Sequence, residues 1–204
     1  MAVTGVVLAA GAGSRMGTPK ALLRTPSGEP WLAVASRLLL EAGCGRVVVV
    51  LGASAFEAAL LLPADARVGS IVNPRWQDGM ASSLRAGLAA ASGTAALVTV
   101  VDMPGLPVGV VARVLALGLG TPAGDDRPPA AGDADPTRSL ARAVFGGRPG
   151  HPVLIGSAHW APLSATLTGD HGGRGYLDAH GVAEVECGDL YDGHDVDVPG
   201  AEAR

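Results

Sequence analysis

Val3-Thr4-Gly5-Val6-Val7-Leu8-Ala9-Ala10-Gly11-Ala12-Gly13-Ser14-Arg15-Met16-Gly17-Thr18-Pro19-Lys20 is the stretch whose reading decides the fold. Residues 3–9 are a short, nearly continuous apolar run, as expected of a parallel strand buried on both faces. The run stops at a turn with three glycines, one serine and two cations. Strand followed by glycine-rich turn is the way an α/β protein opens a ligand site at a sheet edge.

Working outward, the same alternation repeats. Residues 31–42 carry apolar side chains at helical spacing and end at Gly43, and 46–51 (RVVVVL) is β-branched and unbroken. The pattern predicts further helices at 55–62, 81–91 and 108–117, and strands at 67–72 and 95–101. Such alternation implies right-handed βαβ units and a mostly parallel sheet. Residues 120–138, rich in Pro, Gly, Ala and Asp without period, read as a mobile surface loop. Beyond it the sequence predicts a strand at 140–145, an apolar stretch at 152–155, short helices at 157–167 and 173–179, and a strand at 182–187. No internal repeat or linker is evident, so residues 1–204 read as one domain.

Composition bounds the function classes. Apolar residues make up 48% of the chain but aromatics only 3%, so the core must be built from Ala, Val and Leu. Thirty glycines and fifteen prolines in 204 residues stay below the roughly 25–30% at which low complexity becomes the default reading. A net charge of −4 gives no general attraction to nucleic acid or to an anionic membrane surface, and both are read as non-partners. Cys44 and Cys187 lack metal or redox spacing and read as free thiols in a reducing compartment. No apolar run approaches 18 residues and no leader pattern opens the chain, which predicts a soluble, cytoplasmic protein.

The turn has the chemistry of a phosphate cradle. Glycines let the backbone approach a ligand and turn N–H groups inward, while Arg15 offers a planar fork and Lys20 a compact charge. It matches neither common nucleotide loop. Against the dinucleotide pattern GxGxxG, Gly17 falls one residue late; against the Walker pattern, Lys20 is followed by Ala21 where Ser or Thr should take magnesium. Lys20 is also the only lysine, beside fourteen arginines, which points to a need for a flexible point charge at this one place.

The string Leu8-Ala9-Ala10-Gly11-x-Gly13-Ser14-Arg15-Met16-Gly17-x-Pro19-Lys20 resembles the signature of the MobA-like NTP transferases, in their molybdenum-cofactor cytidylyltransferase branch. The resemblance continues through Asn73-Pro74-x-Trp76-x-x-Gly79-Met80-x-x-Ser83-Leu84, Asp102-Met103-Pro104, Gly150-His151-Pro152-Val153, Gly169-Asp170-x-Gly172-x-Arg174 and Asp195-Val196-Asp197. It implies a three-layer α/β/α, Rossmann-like nucleotidyltransferase fold with a mostly parallel mixed sheet. It further implies a Mg2+-dependent enzyme that transfers CMP from CTP to the phosphate of a molybdopterin-type cofactor, with contact to a molybdenum hydroxylase or its chaperone.

Candidate site residues follow from both readings. Asp102 comes directly after a strand, at the carboxyl edge where ligands of open α/β folds bind, although an isolated Asp there also suits helix capping. Magnesium takes one or two carboxylates plus substrate phosphates, and the resemblance assigns that work to Asp102 and Asp197. Asp192, Asp195 and Asp197 could equally form a solvated acidic tail. The resemblance makes Arg15, Lys20 and Asp102 catalytic, and places Leu8, Ala9, Ala10, Gly11, Gly13, Ser14, Arg15, Lys20, Gly79 and Ser83 around the nucleotide. Ala10 stands where the guanylyltransferase branch has glycine, which favours cytosine. The Ser hydroxyls after Gly79 could also simply cap a helix. His151, Asp170 and Arg174 are assigned to the acceptor; alternatively His151 is a structural hydrogen-bonder and Arg174 pairs with Asp170. Other readings stay open: a nucleotidyltransferase acting on a sugar 1-phosphate or another phosphorylated small molecule, which the same loop and metal site would suit; a nicotinamide-dependent oxidoreductase using the same loop; and a noncatalytic chaperone that protects a cofactor.

Overall fold

The computed structural model describes residues 2–14, 16–120, 135–170 and 172–196. Its elements are β1 (Val3–Ala9), α1 (Trp31–Glu41), β2 (Arg46–Leu51), α2 (Ala55–Ala59), β3 (Val68–Val72), α3 (Met80–Ala90) and β4 (Ala95–Val100), then α4 (Val108–Gly118), β5 (Leu140–Phe145), β6 (Arg148–Gly156), α5 (Trp160–Thr166), α6 (Arg174–Ala179) and β7 (Ala183–Glu186). β1, β2 and β5 fall on the residues their apolar runs predict. Residues 121–134 of the expected surface loop lie outside the described residues.

All seven strands join one sheet in the order β3-β2-β1-β4-β6-β5-β7. The pairs β1–β2, β1–β4, β2–β3 and β5–β7 are parallel, whereas β6 runs antiparallel to both β4 and β5. The apolar stretch at 152–155 is therefore the inner part of a nine-residue reversed strand. The reversal has a structural consequence. Because β6 runs against its neighbours, its first residues, His151 among them, stand at the same edge as the last residues of β1 and β4.

Each face of the sheet has its own core. On one side Val7, Leu39, Val49, Leu97, Val114 and Leu154 pack under α1 and α4; on the other Val6, Leu8, Val50, Leu84, Val98 and Leu163 pack under α3, α5 and α6. This is the expected three-layer arrangement, with the aliphatic core that the scarcity of aromatics dictates. Gly87 on α3 allows the close approach: a Cβ there would lie 2.7 Å from Cγ1 of Val6 on β1.

One helix is shorter than its pattern. α2 stops at Ala59 instead of reaching 62, with Leu60 as its C-cap. Pro63 disfavours helical geometry at the residue before it. Phe56 and Leu60 are exposed and only Ala58 is buried in α2, so little apolar burial favours another turn.

Candidate active site

Parallel pairing of β1 with β4, Leu8 opposite Val100, brings the turn after one strand beside the turn after the other. Lys20 begins a short 3-10 turn, Lys20–Leu22, tied by Leu22 N–H to Pro19 O at 2.9 Å and anchored by the fully buried Ala21. From that footing its Nζ donates to Oδ2 of Asp102 at 2.7 Å, both side chains being less than one-fifth exposed. The other carboxylate oxygen, Oδ1, is buried and has no hydrogen-bond partner among the described residues. A shielded carboxylate oxygen left unsatisfied is costly unless a ligand uses it. Hard oxygen of this kind is what magnesium selects.

The loop between β1 and Lys20 is fixed by backbone geometry. Gly13 has φ +63°, its carbonyl accepts from Met16 N–H at 2.9 Å, and a Cβ on it would lie 2.0 Å from Thr18 O. Any other residue would have to break this turn. At the root of the loop, Ala10 O accepts from Ala53 N–H at 3.0 Å, and Ala10 itself is buried.

Together these elements bound a cleft of about 600 Å³. Leu8, Ala9, Ala10, Gly11, Gly13, Ser14, Lys20, Gly79, Ser83, Asp102 and Asp170 all line it, so the structure brings together most of the residues assigned to the nucleotide and metal. Arg15 and Asp197 lie outside the described residues. The chain just before Asp197 reaches the site, however: Val196 N–H donates to Asp102 O at 2.9 Å. Burial first, and then the nearby carboxylates of Asp192, Asp195 and Asp102, push the Tyr191 hydroxyl up. No group of three or more His, Cys, Asp or Glu forms a metal cage among the described residues.

The serines after Gly79 do not cap α3 with their side chains. Ser82 Oγ donates within this bend, reaching Arg75 O at 2.7 Å and Gly79 O at 2.9 Å. Asn73, buried at the end of β3, donates from Nδ2 to Ser82 Oγ and Ser83 Oγ at 2.8 and 3.1 Å and accepts from Arg75 N–H. Sequence reasoning assigned no role to this Asn; a polar residue directly after a strand, ahead of Pro74, was the available signal. Trp76, Gln77 and Met80 also line the cleft without having been assigned there.

The three residues assigned to an acceptor are split. Asp170 faces the main cleft, packed so tightly on the start of α3 that a Cβ on Gly79, whose φ is +95°, would lie 2.4 Å from its Oδ1. His151 and Arg174 line a smaller cavity of about 190 Å³, joined to the cleft along Leu8 and Met80, which border both. Arg174 does not pair with Asp170; its Nε lies 3.9 Å from Asp178 Oδ2, one helical turn away on α6. His151 Nδ1 lies 3.4 Å from Val98 O, and burial lowers the imidazole below its ordinary value of 6.5. Cys44 is buried and its thiol is pushed up to about 12, so it is an inert core residue.

A cleft at the carboxyl edge of a mostly parallel sheet, floored by a glycine loop and a lysine–aspartate pair, is the arrangement of a nucleotidyltransferase fold. The chain belongs to the MobA-like NTP transferase family, whose domain model matches residues 5–185. It is 38% identical to nicotine blue oxidoreductase of Paenarthrobacter nicotinovorans over 200 residues, covering 96% of this chain and 92% of that protein. It is also 38% identical, over 105 residues, to a probable molybdenum cofactor guanylyltransferase of Rhodopirellula baltica, covering 51% of this chain and 50% of that one. A nucleotidyl transferase from Methanothermobacter shares the fold with a TM-score of 0.77 at 20% identity, over 97% of this chain and 92% of the other. No helix among the described residues is long and apolar enough to cross a membrane.

Proposed function

We propose that the protein is a Mg2+-dependent cytidylyltransferase, which transfers CMP from CTP to the phosphate of a molybdopterin-type acceptor. The observation that carries this reading is the Lys20–Asp102 pair in the cleft, with Asp102 Oδ1 left without a partner among the described residues. A phosphate oxygen of the acceptor attacks the α-phosphorus of the triphosphate, the bond from that phosphorus to the β-phosphate bridging oxygen breaks, and pyrophosphate leaves. A phosphate nucleophile is already ionised, so no protein base is required and catalysis reduces to positioning and neutralisation of charge.

Lys20 and Arg15 neutralise the triphosphate, and the N–H groups of the glycine loop orient it. Asp102 and Asp197 would hold the magnesium, which when bound neutralises phosphate oxygens and stabilises the leaving pyrophosphate. Ala10 and Ser83, the residues assigned beside the base, both line the cleft, and this supports CTP as the donor.

Purified protein incubated with magnesium and each nucleoside triphosphate, with and without a reduced pterin acceptor, should release pyrophosphate fastest with CTP and acceptor together. Release of none with any triphosphate would sink this reading. The 96% coverage by nicotine blue oxidoreductase favours a second reading, a nicotinamide-dependent oxidoreductase. Consumption of reduced nicotinamide without pyrophosphate would select it.

A further inference from the structure

At the start of α3 the main cleft presents one hydrogen-bond donor and one acceptor whose polarity the fold fixes. The donor is Ser83. Asn73 is only 4% exposed, and its Oδ1 accepts from Arg75 N–H at 3.0 Å, so its amide cannot turn over. Nδ2 therefore faces the serines and donates its two protons to Ser82 Oγ at 2.8 Å and Ser83 Oγ at 3.1 Å. Ser82 directs its own proton to Arg75 O and Gly79 O. Ser83 accepts from Asn73, and its proton has no acceptor among the described residues. Ser83 is 5% exposed and lines the cleft, where an unmatched hydroxyl proton is costly unless a ligand takes it.

The acceptor is Asp170. It lines this cleft, whereas His151 and Arg174 line the smaller cavity, and Arg174 turns to Asp178. Gly79, having no Cβ, lets Asp170 Oδ1 sit against the first turn of α3. Ser83 follows Gly79 by four residues, roughly 6 Å along a helix axis. A carboxylate oxygen only accepts, so the wall sets a hydroxyl donor near a carboxylate acceptor. Its complement is a ring nitrogen lone pair beside an exocyclic amine, the amidine edge that cytosine and adenine share. Uracil and hypoxanthine carry N–H and carbonyl in those two places. Either would leave the Ser83 proton unmet and set a carbonyl oxygen against Asp170.

We infer that Ser83 and Asp170 read the amidine edge of an amino-substituted nucleobase, and that Asn73 is the positioning residue that makes Ser83 a donor. Naming the base cytosine rests on the proposed CTP reading; the preference for an amino over an oxo base does not.

The test is calorimetric titration of the full chain, with magnesium, against two amino and oxo pairs, CTP with UTP and ATP with ITP, and against tripolyphosphate, which has no base. CTP should bind about tenfold more tightly than UTP, the worth of one matched hydrogen bond. Asn73→Asp, which draws the Ser83 proton to itself, should abolish that preference and leave the affinity for tripolyphosphate unchanged. Asp170→Asn, whose amide can donate to a carbonyl, should also abolish it. Added to Ser83→Ala, Asn73→Asp should change the preference no further, as expected of a residue that acts only through Ser83. If Asn73→Asp does not fold, the Asp170→Asn and Ser83→Ala titrations still decide. Equal affinities within both pairs, or a preference that survives Asp170→Asn, would overturn the inference. A preference for ATP over ITP alone would uphold the edge and remove cytosine. A CTP preference without pyrophosphate release would uphold the edge and remove the transferase reading; pyrophosphate release with CTP and UTP bound equally would do the reverse.

Discussion

Lys20 Nζ lies 2.7 Å from Asp102 Oδ2 although 82 residues separate them in the chain. The contact exists because β1 and β4 are parallel neighbours, so two turns distant in sequence share one sheet edge. It joins the only lysine of the chain to a carboxylate whose other oxygen has no hydrogen-bond partner among the described residues, and it is where the chemistry is most exposed to test.

Replacing either member should separate chemistry from folding. Lys20→Ala and Asp102→Asn are each expected to lower kcat/KM for pyrophosphate release roughly a hundred- to thousandfold, with a melting temperature close to that of the parent. Near-parental turnover in Asp102→Asn would remove this carboxylate from the mechanism.

The cradle itself is testable through Gly13. A side chain at φ +63° is strained, and the Thr18 carbonyl occupies the space a Cβ needs. Gly13→Ala should cost about 1–3 kcal/mol of stability in urea unfolding and abolish measurable CTP binding by calorimetry. Retention of parental affinity would mean the loop is not the triphosphate site.

Core and site should respond differently. Leu97 is fully buried in the middle of β4, and Leu97→Ala should lose about 2–5 kcal/mol. The KM for nucleotide in the remaining folded protein should stay unchanged, a pattern opposite to that of Asp102→Asn.

His151 predicts a pH dependence with a definite sign. Its folded-state value is lowered by burial from the ordinary 6.5, against smaller opposing effects of the Val98 carbonyl, Asp102 and Asp195. Below pH 6.5 the unfolded chain takes a proton that the folded chain resists, so this residue's contribution is present above that pH and is lost as pH falls. Urea midpoints measured at pH 8 and pH 5.5 should therefore draw closer together in His151→Asn than in the parent chain. An unchanged difference would show that this imidazole is not buried in its neutral form.

The elements most legible in sequence were those whose burial is two-sided. β1 and β2 are entirely or almost entirely buried, and a two-sided environment leaves an unbroken apolar run that cannot be mistaken for a surface strand. α2 was overestimated because its apolar residues Phe56 and Leu60 are exposed, so hydrophobic spacing there reports no packing. The reversal of β6 was invisible for another reason: an apolar run carries no direction, and only the pairing of Val98 with Val153 reveals it.

The site divides the same way. Sequence alone determined the glycine loop, the lone lysine and the carboxylate after β4, because turn geometry and charge are local properties written in residue type. Tertiary structure alone decided that Asp170 faces one cavity while His151 and Arg174 face another, and that Arg142, an unremarked strand residue, stands beside them. Those placements depend on which strands are neighbours and on the direction of β6, and such long-range pairings are selected by the burial of the whole sheet rather than by any single segment.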